Sequence, residues 1–109
     1  MPARDKIHGI KLAVESMLSQ TYSPMELIFS DHGSKDGTRQ VIESMCSAYN
    51  GPNTIRILDC PHTEQSGMPG LNRHIDWIMS QTDADIIIQC SADDVNEIRR
   101  AERIVPLFE

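Results

Sequence analysis

The feature that most restricts this chain is an alternation between two kinds of apolar pattern. Leu27-Ile28-Phe29 and Ile86-Ile87-Ile88 are short uninterrupted apolar runs bounded by polar and turn residues. Such runs suit strands buried on both faces, as in a parallel sheet. They predict strands over 25–30 and 85–90. Ile55 and Ile57, alternating with Arg56 and Leu58, predict another strand reaching Cys60. Between these runs the apolar residues recur at helical spacing. Ile7, Ile10, Val14, Met17 and Leu18 share one face and predict a helix over 7–21, stopped by Pro24. Val41, Ile42, Met45 and Tyr49 predict a second helix, ended by Asn50-Gly51-Pro52. Leu71, Ile75, Ile78 and Met79 define a third, with Trp77 on its flank; Ile98, Ala101, Ile104 and Val105 suggest a last one reaching the C-terminus. The order α-β-α-β-α-β-α implies a single α/β domain with a mainly parallel sheet and helices on both faces.

Composition narrows the function classes. With 109 residues there is room for one core only. The balance of 10 Lys+Arg against 16 Asp+Glu gives a net charge of −6 with no basic run, which argues against nucleic acid as a partner. No apolar run approaches the length of a membrane span. Cys46, Cys60 and Cys90 are odd in number and lack C-x-x-C spacing, which favours reduced thiols and a cytoplasmic setting. Cys60-Pro61-His62 with Cys46 matches no common zinc spacing.

The polar residues of interest follow the predicted strands. Asp31-His32-Gly33-Ser34 follows the first, Cys60-Pro61-His62 the second and Ser91-Ala92-Asp93-Asp94 the third. In an open parallel sheet, ligands bind outside the strands' carboxyl ends, so all three clusters are expected along one edge. Spacing leaves two readings open for Asp93-Asp94. Adjacent carboxylates repel and suit a hard divalent cation shared with phosphates. They also suit the N-terminus of the last helix. Ser34 and Asp36 can likewise cap the second helix, or the glycine-bearing turn can cradle an anion, although it is no Walker loop. His74 reads as a locally hydrogen-bonded helix histidine, and no nucleophile has a triad-like spacing.

Four stretches, in order, resemble the family-2 glycosyltransferases, which have the GT-A fold. Residues 13–22, Ala-Val-Glu-Ser-Met-Leu-Ser-Gln-Thr-Tyr, look like the family's first helix. Residues 26–38, ending Ser30-Asp31-His32-Gly33-Ser34-Lys35-Asp36-Gly37-Thr38, look like its "DDGSxDgT" segment. Gly67 to Ile75 resembles the stretch carrying the family asparagine, here Asn72, and Ile86 to Asp94 the strand that ends in paired aspartates. The resemblance implies a domain that binds a nucleoside-diphosphate sugar, UDP- or GDP-linked, together with Mn²⁺ or Mg²⁺. In the complete protein it implies transfer of the sugar to a carbohydrate or other hydroxyl acceptor, with inversion. Pro2-Ala3-Arg4-Asp5 then falls at the base-contacting end of the family's first strand, and Asp31 and His32 lie near base and ribose. Asp93 and Asp94 hold the metal, Asp94 foremost, and Asp93 also counts with Pro2, Arg4, Asp31 and His32 among the nucleotide-binding residues the resemblance implies. The catalytic base is expected outside this chain.

Departures from the family pattern are specific. His32 replaces an aspartate, Ser91 stands where many members carry the first of the paired aspartates, and Arg4 replaces a tyrosine. The family's apolar first strand, which lies between the strands expected at 25–30 and 85–90, would precede Pro2, and the acceptor half would follow Glu109. The expectation is therefore a partial GT-A domain over 1–109, a donor-binding half that would be inactive alone. Its full protein is expected in the cytoplasm or at the cytoplasmic face of a membrane, where a homo-oligomer is compatible with the family. Two alternatives keep a related scaffold: a non-catalytic nucleotide-sugar-binding or assembly module, and a nucleotidyltransferase, whose basic phosphate loop is not visible here.

Overall fold

The computed structural model describes residues 1–61 and 67–108, and His62 of the second polar cluster lies outside them. The described elements run β1 (Pro2–Ala3), α1 (Ile10–Leu18), β2 (Glu26–Asp31), α2 (Thr38–Ser47), β3 (Thr54–Asp59), α3 (Gly67–Met79) and α4 (Arg100–Ile104), followed by a 3₁₀ turn at Val105–Phe108. The strands form one parallel sheet in the order β1-β2-β3. All six residues of β2 pair with β3, from Glu26 with Thr54 to Asp31 with Asp59. On its other edge only Ser30 and Asp31 pair, with Pro2 and Ala3.

Alternation along β2 explains how the two faces fill. Leu27 and Phe29 are buried in one cluster with Ile10, Val14 and Met17 of α1 and Ile42 of α2. Ser30, one residue out of phase, turns to His74 on α3 instead. Helices therefore cover both faces, as the element alternation implies.

Three expectations are corrected. The segment 85–90 has no regular secondary structure and forms no strand among the described residues. Its sequence favours a strand, yet the neighbour it needs is β1, which offers two residues only. Without a partner ladder its backbone has nothing to join. Ile86, Ile88 and Cys90 are partly buried, while Ile87 is 47% exposed. Second, α1 spans Ile10–Leu18 rather than 7–21, because residues 4–9 are held in a loop at the sheet's carboxyl edge. Third, the last helix begins at Arg100 with Arg99 at its cap position, so Asp93 and Asp94 do not cap it. This C-terminal segment is tied to α1 by side chains. The Ser16 hydroxyl accepts the Asn96 amide at 2.9 Å, and Gln20 accepts from the Ala101 amide at 3.0 Å while donating to the Glu97 carbonyl at 2.9 Å.

Candidate functional site

The loops leaving β1 and β2 are knitted together by four bonds between backbone and side chain. The Lys6 amide donates to the Thr38 hydroxyl at 2.8 Å and the Ile7 amide to Asp36 at 3.1 Å. In the reverse direction the Lys35 amide donates to Asp5 at 2.7 Å, while the Asp5 amide donates to the Ser34 hydroxyl at 2.9 Å. The clasp demands unusual backbone: Gly33 and Gly37 have φ of +69° and +96°, and Asp5 has +51°. Asp36 also accepts the Thr38 amide at 3.0 Å, but Gly37 holds the N-cap position of α2 with no side-chain cap bond, so neither Ser34 nor Asp36 is the cap residue. The bonds to Asp36, led by the one from the Thr38 hydroxyl, hold its carboxyl below its usual range.

Asp31 and His32 emerge inside this clasp. Both are buried. The His32 amide donates to the Ala3 carbonyl, and the Cys60 amide to the Asp31 carbonyl, both at 2.8 Å, fixing the pair between β1 and β3. One Asp31 carboxylate oxygen accepts the Ser34 amide at 3.0 Å. The other, Oδ1, is buried without a hydrogen-bond partner among the described residues. A buried carboxylate oxygen in that state costs free energy until a donor reaches it.

Behind them lies a histidine pair. The His32 and His74 rings stand 4.9 Å apart, tilted by 40°, and Trp77 flanks His74 with ring centres 6.5 Å apart. His74 Nε2 and the Ser30 hydroxyl share a bond of 2.6 Å. Burial, reinforced by His32 and the amino terminus, pushes the His74 pKa down to about 4, against a smaller opposing pull from Asp31. The imidazole is therefore neutral near pH 7.

The third cluster reaches the same edge through Lys6. Its ammonium pairs with Asp93 at 3.0 Å, both groups being well exposed. The Asp93 amide donates to the Ser91 hydroxyl at 3.1 Å and the Asp94 amide to the Ser91 carbonyl at 3.2 Å, so Ser91 shapes this turn. Asp94 is exposed on an open polar pocket of about 570 Å³ that it shares with Gln89, Asn96 and Arg100. Among the described residues no three His, Cys, Asp or Glu side chains converge on a point that would hold a metal. Two adjacent carboxylates, one already matched by a cation, are oxygen donors of the kind a hard divalent ion takes when phosphate and water complete its shell.

The expected residues thus separate into two groups. Pro2, Asp31 and His32 lie together on β1, β2 and the start of the following loop, with half-buried Arg4 after β1. Asp93 and Asp94 join them only through Lys6. Nothing in the sequence pattern marks Lys6 for this role. The pattern also leaves the Ser30–His74 bond unseen, since a serine inside an apolar strand is the only hint of it.

An open parallel α/β sheet with helices on both faces and polar side chains gathered beyond the strand carboxyl ends has the layout of the doubly wound folds. The family model for glycosyl transferase family 2 matches residues 1–109, and the chain belongs to that family. It is 28% identical over 97 residues to the "Putative glycosyltransferase EpsE" of Bacillus subtilis (strain 168), covering 89% of this chain and 32% of that protein. It is 27% identical over 97 residues to the "Uncharacterized glycosyltransferase alr2836" of Nostoc sp. (strain PCC 7120 / SAG 25.82 / UTEX 2576), covering 89% of this chain and 28% of that one. The chain spans about a third of the length of these curated relatives. No solved structure matches it significantly.

Proposed function

We propose that this domain binds the nucleoside diphosphate of a UDP- or GDP-sugar and that the protein carrying it transfers the sugar to an acceptor hydroxyl. The observation that carries this reading is Asp31 Oδ1, a buried acceptor that has no partner among the described residues, at the carboxyl edge of a parallel sheet. A base N–H or a ribose hydroxyl is the donor that would satisfy it. His32, Arg4 and Pro2 are the other residues this reading assigns to the nucleotide. Arg4 has a guanidinium that can lie on a base or pair with phosphate.

Asp94 and Asp93 are the residues that would hold Mn²⁺ or Mg²⁺. When bound, such an ion offsets the negative charge of the departing diphosphate. The chain's own contribution is positioning. The clasp between residues 5–7 and 34–38 fixes Asp31, and Lys6 holds a positive charge at the end where phosphate would lie. The acceptor's general base, the inverting outcome and residence in the cytoplasm belong to this reading as expectations for the longer protein.

Calorimetry of the chain with UDP- and GDP-sugars, with and without Mn²⁺, tests it. Asp31→Asn should weaken nucleotide binding at least tenfold, and Asp94→Asn should remove the metal dependence. Binding that ignores both substitutions would defeat the assignment. A second reading, a binding module without turnover, is favoured by Ser91, whose hydroxyl is spent on the Asp93 amide and adds no carboxylate. Sugar transfer or donor hydrolysis by the longer protein would remove it.

A further inference from the structure

The contact between Lys6 and Asp93 joins two parts of the site that lie 87 residues apart in sequence. On one side the backbone is locked, the Lys6 amide on the Thr38 hydroxyl at 2.8 Å and the Ile7 amide on Asp36 at 3.1 Å. On the other, Ser91 shapes the turn that carries Asp93 and Asp94, and Ser16 and Gln20 of α1 anchor the residues that follow. Both backbones are fixed, and the Lys6 side chain crosses between them on a flexible four-carbon stem. Its ammonium meets Asp93 Oδ2 at 3.0 Å with the side chains 38% and 63% exposed. A pair so open to water is held weakly and exchanges without moving the backbone. Arg100 also lines the pocket of Asp94, but its guanidinium is bonded to Asn96 at 2.8 Å and to Cys90 at 3.1 Å. Lys6 is the exchangeable cation of the two.

We propose that the Lys6 ammonium is a resident counter-ion that a diphosphate takes over. While it sits on Asp93 it opposes a divalent cation there; once phosphate oxygens capture it, the carboxylate pair is released to the metal. The inference rests on the nucleotide and metal roles proposed above and adds an order to them, diphosphate first and metal second. Charge decides the order. Asp93 and Asp94 carry two negative charges, and Lys6 offsets one. A divalent ion on both carboxylates cancels them outright, which leaves the ammonium beside a doubly charged cation with no anion of its own. Lys6 and the metal therefore compete when nothing else is bound. The non-bridging oxygens of a diphosphate serve both, accepting from the ammonium and ligating the metal. In that company the two cations no longer exclude each other, and their competition becomes a coupling between nucleotide and metal. A base, a ribose or a sugar hydroxyl carries no charge to draw the ammonium off, so the diphosphate is the trigger.

The test is a four-cornered cycle: Mn²⁺ affinity of the native chain and of Lys6→Ala, each without nucleotide and with saturating UDP or GDP. Free Mn²⁺ is counted by its paramagnetic resonance signal, with the metal that nucleotide holds in solution subtracted. Without nucleotide, Lys6→Ala should bind Mn²⁺ about two- to fivefold tighter than the native chain, the range expected for removing an exposed ion pair. With nucleotide bound that advantage should vanish or reverse, so the gain in Mn²⁺ affinity that nucleotide brings falls several-fold in the variant. Lys6→Arg keeps the charge and should retain the gain. Lys11→Ala, on the exposed face of α1, should match the native chain at every corner. Equal Mn²⁺ affinity of the native chain and Lys6→Ala without nucleotide overturns the inference. So does an advantage of Lys6→Ala that persists unchanged with nucleotide, which marks a competitor that is never handed over. Weaker Mn²⁺ binding by Lys6→Ala at both corners overturns it as well, since that is the mark of a structural role. If neither UDP nor GDP binds the native chain, the nucleotide reading falls and this inference with it; nucleotide binding whose metal gain ignores Lys6 sinks the exchange alone.

Discussion

The buried His74 makes a pH prediction that can be worked through in numbers. Its ring is 1% exposed, bonded to Ser30, and faced by the His32 ring, the Met1 amino group and the Asp31 carboxyl. Its pKa falls from 6.5 to about 4 on folding. Between those values the unfolded chain binds a proton that the folded chain rejects. Acidification through that window therefore favours unfolding, and the stability present above pH 6.5 is lost as pH drops toward 4. From pH 7 to pH 5 the loss through His74 alone is about 2 kcal/mol. The Met1 amino group, lowered from 8.0 to about 6, acts with the same sign and adds about 1 kcal/mol over that interval.

His74→Gln keeps an amide where the imidazole meets Ser30 and cannot titrate. Urea unfolding followed through Trp77, the only tryptophan, reads the result directly. The native chain should lose about 3 kcal/mol between pH 7 and pH 5 and the variant about 1. At a typical urea slope of roughly 1–3 kcal/mol per molar, the difference is a midpoint shift on the order of 1 M. The quantity compared is the change with pH, so any fixed cost of the substitution cancels. An unchanged pH dependence in the variant would refute the claim that burial keeps this histidine neutral.

Three other outcomes follow from the packing and the clasp. Phe29→Ala empties a fully buried site shared by α1 and α2 and should cost about 3–5 kcal/mol in the same urea assay. Gly37→Ala should cost about 1–2 kcal/mol through backbone strain alone, since φ is +96° there and the nearest atom to the new Cβ, Ile7 Cδ1, stands 3.6 Å away. Lys6→Ala removes an exposed ion pair and should change stability by less than about 1 kcal/mol. It should nevertheless tighten Mn²⁺ binding at Asp93 and Asp94, measured by calorimetry, because the competing cation is gone.

Much of the fold is written in local pattern. Leu27 and Phe29 against Ile28 and Ser30 announce a strand covered on two faces, and β2 is that strand. Helical spacing located α1, α2 and α3, although the ends moved where side chains captured backbone donors. Residues 7–9 carry a helical apolar pattern, but the Ile7 amide is held by Asp36, a contact 29 residues away that no local pattern contains. The segment 85–90 failed for a related reason. Ile86-Ile87-Ile88 has the composition of a strand, while strand formation is a property of pairs, and its neighbour is two residues long.

Candidate-site residues were legible where the chain itself brings them together. Asp31, His32, Ser34, Asp36 and Thr38 occupy one turn, and their mutual bonds repeat the spacing of the motif. Motif letters outside that turn have structural duties: Ser16 and Gln20 of the helix stretch anchor residues 96–101 rather than meet a ligand. That anchoring bears on the site, because the same segment carries Asp93 and Asp94. A polar contact on α1 thus sets where the carboxylate pair stands relative to Lys6. It follows that Gln20→Ala should act at a distance: losing the bonds to Ala101 and Glu97 loosens the segment 91–101. Mn²⁺ affinity at Asp93 and Asp94 should fall several-fold, while Asp31 and its clasp, held by β1 and β3, keep their nucleotide affinity in the absence of metal. Equal loss of both affinities would show instead that the two halves of the site form one rigid unit.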